Sequence, residues 1–328
     1  MDIAILGAGA WGSALAAALS SHHRVSLWMR SAAQRTHMAA TRRTDYLPGI
    51  EIPARVAFSD DLAEAARGCE LVIAATPSHG LRTALAALGA CASPTPLLWA
   101  CKGFELETSR LPHEIAAETL PAWREVGALS GPSFAAEVAR GLPAALTVAS
   151  RDASFARRAA GALHHAPLRI YSSGDVVGVE LGGALKNIIA IAAGISDGLG
   201  LGANARAALI TRGLAEIARL GVRMGGEPDT FMGLTGLGDL VLTATGDLSR
   251  NRTVGMRIAA GIPVQRILAE LGHVAEGVSS ARAARELAHR CGVDMPITEA
   301  VCAVLFEGLA PTTAVEGLLS RETRPEQA

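Results

Sequence analysis

Residues 1–12, M-D-I-A-I-L-G-A-G-A-W-G, decide how the rest of the chain is read. A short apolar run stops at Gly7, and the glycine-spaced string G-A-G-A-W-G (7–12) leads straight into the helical pattern W-G-S-A-L-A-A-A-L. In that strand–turn–helix setting the spacing fits a dinucleotide site. Gly7 makes the tight turn, Gly9 lets a pyrophosphate approach the backbone, and Gly12 lets helix and sheet pack closely. The N–H groups opening the helix then face the phosphates. A glycine-rich turn serving packing alone is the plainer alternative.

The next β-rich run, R-V-S-L-W-M, ends at Arg30, and no acid follows until Asp45. An enzyme selective for NAD carries Asp or Glu near here for the ribose 2′-hydroxyl. A guanidinium suits a 2′-phosphate instead, through bidentate charge-assisted bonds. Arg30 therefore favours NADPH, with NADH as a second cofactor. A plain solvated strand-end arginine is the competing explanation.

Working outward, E-L-V-I-A-A-T-P, P-L-L-W-A and E-V-G-A-L-S-G-P are apolar runs bounded by Gly, Pro or Ser, as buried parallel strands are. Helical stretches separate them, which predicts a Rossmann-type doubly wound α/β sheet. A-A-L-T-V-A-S and L-R-I-Y-S add late strands. Pro77 ends one run, and Ser78 and His79 are placed to cap the helix after it; His79 reads as a polar loop residue rather than a catalyst. After about Val176 the texture turns to alanine- and leucine-rich segments without a strand pattern. An all-helical C-terminal domain is expected there, its first long helix capped near Ser173–Asp175. We set the domains at 1–178, dinucleotide-binding, and 179–328, helical and substrate-binding. The last ten residues read as a polar tail.

Bulk properties agree with this. The 328 residues suit about two domains. Half are hydrophobic but only 4% aromatic, so the positive mean hydropathy reflects alanine-rich helices. No uninterrupted apolar run approaches the ~20 residues of a spanning helix, and no basic leader marks export. Thirty basic and 31 acidic residues, without a basic block, argue against a nucleic-acid partner. Five cysteines without a CxxC spacing point to a reducing cytoplasm and no zinc site. No metal is required, and apolar faces on the helical half fit a homodimer.

Polar groups gather where apolar patterns stop. Lys102 follows one strand, and Gly131 and Ser133 follow another. The run T-G-L-G-D-L-V-L-T-A-T-G-D-L-S-R-N-R carries Asp239, Thr243, Ser249, Arg250 and Asn251. Ser249 caps a helix there, with Arg250 and Asn251 in its first turn, a natural anion site.

One charge stands alone. In L-G-G-A-L-K-N-I-I-A-I-A-A-G-I (181–195) it is Lys186. Burying an unpaired ammonium is costly, so it either reaches water or is used. Gly182 and Gly183 lie one turn before it, and we expect them to leave room for a small molecule; Asn187 follows. Desolvation lowers the pKa of such a lysine toward that of a proton-transfer group, and a partner such as Asp239 opposes the shift.

Together these strings resemble the bacterial NAD(P)-dependent glycerol-3-phosphate dehydrogenases. G-A-G-A-W-G, Y-L-P-G-I, A-T-P-S-H-G-L-R, C-K-G-F-E, L-S-G-P-S-F-A-A-E-V-A-R-G-L-P, V-E-L-G-G-A-L-K-N, T-G-L-G-D-L-V-L-T, S-R-N-R and V-A-E-G-V occur in order along nearly the whole chain. The resemblance implies reversible reduction of dihydroxyacetone phosphate to sn-glycerol 3-phosphate for glycerophospholipid synthesis. It implies Lys186 as acid/base, with Asp239 orienting or charge-balancing it. Lys102, Gly131, Ser133, Asp239, Ser249, Arg250 and Asn251 match substrate contacts, and the neighbouring Asn187 and Thr243 join that set. Trp11, Arg30, Lys102, Ala135, Arg250, Val274 and Glu276 match cofactor contacts. Ala10 stands where relatives often have Ser or Thr, which removes a hydroxyl but keeps the backbone N–H. A reductase of another small hydroxy or keto acid, or a non-catalytic NADPH sensor, would share the architecture.

Overall fold

The computed structural model describes residues 1–271 and 275–322. Eight strands form one sheet: β1 (Asp2–Leu6), β2 (Arg24–Trp28), β3 (Ala57–Ser59), β4 (Leu71–Ala74), β5 (Leu97–Trp99), β6 (Val126–Ser130), β7 (Ala144–Ala149) and β8 (Leu168–Ser173). Their order is β3-β2-β1-β4-β5-β6-β7-β8. All four residues of β4 are buried, because helices cover both faces. By contrast Leu168 and Ile170 of the edge strand β8 are buried while Arg169 and Tyr171 are exposed, the period-2 pattern of a half-solvated strand.

The helices among the sheet are α1 (Ala10–Leu19), α2 (Ala32–Thr41), α3 (Leu62–Ala66), α4 (Leu81–Cys91), α5 (Pro112–Thr119), α6 (Ala135–Ala139) and α7 (Ala153–Leu163). The second half contains α8 (Val176–Gly198), α9 (Gly202–Arg223), α10 (Pro228–Met232), α11 (Asp239–Thr245), α12 (Arg250–Ala259), α13 (Val264–Leu271), α14 (Glu276–Cys291), α15 (Pro296–Phe306) and α16 (Pro311–Leu319). No strand occurs after β8 among the described residues. The expected α/β sheet followed by a helical half is therefore what the chain forms.

Three details differ from the sequence reading. The sheet is mixed, since β6 and β7 pair antiparallel while every other pairing is parallel. The strand β3 has only three residues, too few for a periodic signal. Ser78 and His79 cap nothing: they form a 3₁₀ turn, Ser78–Gly80, leading into α4, whose first residue has Gly80 before it and no side-chain cap.

The helix α8 is the hub of the second half. Asp175 caps it, accepting from the Gly178 N–H at 2.7 Å. The residue-178 boundary falls in its first turn. By length and mean hydropathy α8 resembles a membrane span, yet 89% of its apolar window is buried inside the protein. It forms a hydrophobic core with α9, α11, α12, α14 and α15, separate from the sheet's own cores.

Candidate active site

The strand order reverses between β1 and β4, and ligands bind at such a switch point beyond the strands' carboxyl ends. The glycine turn lies there. Gly7 has φ +112°, a conformation that side chains disfavour, and a Cβ on it would come within 2.9 Å of the Ala75 carbonyl oxygen at the end of β4. A Cβ on Gly12 would overlap the Gly7 carbonyl oxygen, so turn and helix depend on each other. Gly9 differs: nothing lies within 4 Å of its missing Cβ.

The fit to a dinucleotide can be judged from these residues. Ala10 opens α1 after Gly9 with no side-chain cap, leaving its first N–H groups for an anion. Trp11 Nε1 and Thr76 Oγ1 are buried without a hydrogen-bond partner. Open space over Gly9, an uncapped helix start and orphaned donors suit a bound phosphate-bearing cofactor. Arg30 is exposed just beyond β2. Asp60, after β3, pairs with Arg35 Nε at 3.1 Å. Ala135 begins α6 and is partly buried. Glu276 begins α14, whereas Val274 lies outside the described residues.

Lys186 lies on α8, 6% exposed. Its Nζ donates to Asp239 Oδ1 and, at 2.8 Å, to Thr243 Oγ1. Asp239 opens α11 after a π-helical turn, Leu234–Gly238, so Asp239 and Thr243 share one face a helical turn apart. Thr243 Oγ1 donates back to the Asp239 carbonyl at 2.6 Å. The other carboxylate oxygen, Oδ2, accepts from Lys102 Nζ at 2.7 Å. Lys102 also donates to the Gly131 carbonyl at 2.9 Å, as does Ser133 Oγ. Lys102, Gly131, Lys186, Asp239 and Thr243 thus meet in one cluster.

Gly182 and Gly183 do not leave the space expected of them. A Cβ on Gly182 would stand 2.5 Å from the Thr235 carbonyl oxygen, and one on Gly183 would stand 2.9 Å from Ser130 Oγ. Their role is close approach: α8 presses onto the turn that precedes Asp239 and onto the end of β6. Ser130 escaped the sequence reading. It is buried, its Oγ has no partner, and the Lys102 stem lies nearby. A polar residue ending an otherwise buried strand was the available signal.

The predicted helix start at Ser249 also forms. Ser249 caps α12, accepting from the Arg252 N–H at 3.2 Å. Arg250 is exposed and Asn251 is buried. Asn251 Nδ2 donates to Asn187 Oδ1 at 2.9 Å and its Oδ1 accepts from the Gly277 N–H at 3.0 Å. That bond joins α12 to the residue after the lysine.

Burial drives the Lys186 pKa down from 10.5 to about 8; Asp239 pulls it upward and Lys102 pushes it further down. Burial likewise raises the Glu276 carboxyl, against the opposing charges of Arg250, Lys102 and Lys186. A lysine poised near neutrality, beside a carboxylate and a hydroxyl, can pass a proton in either direction.

Comparison with known proteins gives the relatives of this arrangement. Residues 2–156 match the family model described as the NAD-dependent glycerol-3-phosphate dehydrogenase N-terminus, and residues 175–316 match the corresponding C-terminus. A protein of Thiobacillus denitrificans named glycerol-3-phosphate dehydrogenase [NAD(P)+] is 59% identical over 327 residues, covering 99% of this chain and all of its own. One of the same name from Aromatoleum aromaticum is 56% identical over 328 residues, with the same coverage. The crystal structure of glycerol-3-phosphate dehydrogenase from Coxiella burnetii superposes with a TM-score of 0.93 at 40% identity, over 97% of this chain and 98% of that one. A D-mandelate dehydrogenase at 15% identity and TM-score 0.62, covering 96% of this chain and all of its own, shares the fold alone.

Proposed function

The chain belongs to the NAD-dependent glycerol-3-phosphate dehydrogenase family, and from that premise we propose how its own residues perform the reaction. The reaction is the reversible, NAD(P)H-dependent reduction of dihydroxyacetone phosphate to sn-glycerol 3-phosphate. NADPH and NADH both serve. We infer a preference for NADPH from Arg30, which follows β2 where an acid would select NAD.

The glycine turn and the first N–H groups of α1 would hold the pyrophosphate, and Trp11, Ala135, Lys102, Arg250 and Glu276 would contact the rest of the cofactor. A bound nicotinamide would supply hydride for the ketone carbon C2. Arg250, Asn251 and the N-terminus of α12, capped by Ser249, hold the substrate phosphate. Anchoring that end fixes C2 relative to Lys186, and orientation supplies part of the rate. Lys186 Nζ gives its proton to the developing C2 alkoxide and recovers it in the reverse direction. Asp239 and Thr243 hold the ammonium in place. Lys102, held by Gly131 and Asp239, adds positive charge for the substrate oxygens, and Ser133 and Asn187 complete the wall.

The observation that carries this reading is the buried Lys186–Asp239–Thr243 group with Lys102 on the second carboxylate oxygen. Initial rates with dihydroxyacetone phosphate and with dihydroxyacetone, each with NADPH and NADH, test it. Strong preference for the phosphorylated ketone supports the anion site; equal rates overturn it. Five free cysteines support, in this reading, a reducing cytoplasm as its setting, where its product would feed glycerophospholipid synthesis. Exposed apolar side chains on the helical half, such as Val222 and Leu319, support pairing into a homodimer.

A further inference from the structure

Arg252 shares the first turn of α12 with Arg250 and Asn251, but its side chain has other partners. Its Nε donates to Asp197 Oδ2 at 2.7 Å. Asp197 lies in the last turn of α8 and also accepts from Arg206 at 2.9 Å. The Arg252 and Asp197 side chains are only 13% and 10% exposed, so this ion pair is largely shielded from water. A second partner, Asp247, is 97% exposed and contributes little. The Arg252 main-chain N–H meanwhile donates to the Ser249 cap. One residue therefore closes the cap with its backbone and ties that turn to α8 with its side chain.

The two helices meet without room to slide. A Cβ on Gly194 would overlap the Arg252 carbonyl oxygen, and one on Gly255 would overlap the Ile191 carbonyl oxygen. Residues 251 and 252 then fasten α12 to α8 at two places. Asn251 bonds Asn187, next to the catalytic lysine, and Arg252 bonds Asp197, about 15 Å further along the helix. A single attachment leaves a helix free to pivot; two fix its rotation as well.

We infer that Arg252 is a positioning residue for the phosphorylated substrate. Its ion pair with Asp197 holds the first turn of α12 so that Arg250 and Asn251 meet the phosphate at a fixed distance from Lys186. The inference rests on the reading of Arg250 and Asn251 as the phosphate anchor. Arg252 itself touches no reacting group.

The test measures kcat/KM with NADPH for dihydroxyacetone phosphate and for dihydroxyacetone in the full-length protein. Arg252→Gln is expected to raise KM for the phosphorylated ketone roughly tenfold or more, the scale of one charged hydrogen bond. Turnover of dihydroxyacetone should stay within about twofold, so the preference for phosphate falls by that same factor. Asp197→Asn keeps the side-chain shape, should act in the same direction, and decides the matter if Arg252→Gln does not fold. Arg252→Lys should restore part of the loss. Equal losses with both ketones, or an unchanged preference in both variants, overturn the inference. Arg250→Ala separates the two readings. If it abolishes the preference while Arg252→Gln does not, the positioning role is wrong and the phosphate anchor stands. If neither variant changes the preference, both readings are wrong.

Discussion

Lys102 and Lys186 share one carboxylate: Asp239 takes the first on Oδ2 and the second on Oδ1, although 137 and 53 residues of chain separate them from it. A single buried negative charge cannot neutralise two ammonium groups. The surplus positive charge suits a phosphorylated substrate and a developing alkoxide. It also explains why Lys186 titrates low despite its salt bridge, because burial and Lys102 together outweigh Asp239.

The direction of the pH dependence follows. With Lys186 as the proposed acid, ketone reduction needs its ammonium, so kcat/KM for dihydroxyacetone phosphate should be level at neutral pH and fall tenfold per unit above about 8. Oxidation of sn-glycerol 3-phosphate needs the neutral amine, so its kcat/KM should rise through the same pH and then level off. Parallel profiles in the two directions would remove the lysine from the proton transfer.

Asp239→Asn takes away the charge that raises the Lys186 pKa and leaves Lys102, which lowers it. The fall in the reduction profile should therefore move below pH 8. Stripping a buried ammonium of its partner should also cost on the order of 3–5 kcal/mol of stability near neutrality. That cost should shrink at alkaline pH, where the amine is neutral. Denaturant unfolding at two pH values measures it.

Arg30→Ala should raise KM for NADPH about tenfold or more while leaving NADH within about twofold, as loss of a charged contact to the 2′-phosphate requires. Steady-state kinetics with each cofactor decides this. An unchanged NADPH/NADH ratio would take Arg30 out of the account.

Away from the site, Glu216 on α9 accepts from the Ile297 N–H at 2.7 Å and the Thr298 N–H at 3.2 Å, closing the start of α15. Burial pushes its pKa from 4.5 up to about 7. The folded state thus holds a proton that the unfolded state releases. Its contribution is fully present below about pH 4.5 and is lost as pH rises through 7, on the order of 3 kcal/mol. Glu216→Gln should remove that slope; stability curves of variant and parent running parallel from pH 5 to 8 would contradict it.

Much of this was legible in the chain. G-A-G-A-W-G announced the sheet and its ligand edge because Gly7 and Gly12 answer steric demands of the turn and Gly9 leaves the space beside it open. Lys186 stood out because one charge in a buried helix has few physical explanations, and Ser249 because helix caps are local. What escaped depends on distant partners. Gly182 and Gly183 advertise missing side chains, but only the folded chain reveals that backbone and Ser130 fill the space. The antiparallel β6–β7 pair was hidden because strand composition does not encode direction. The sharing of Asp239 by Lys102 depends on a contact no local pattern records.

The most direct test is NADPH oxidation by dihydroxyacetone phosphate with wild type and Lys186→Met, which keeps the apolar stem and removes the ammonium. With Lys186 as the proton donor, kcat should fall by about 10²–10⁴-fold, while KM for both ligands should change only a few-fold. Undiminished turnover by Lys186→Met would contradict it.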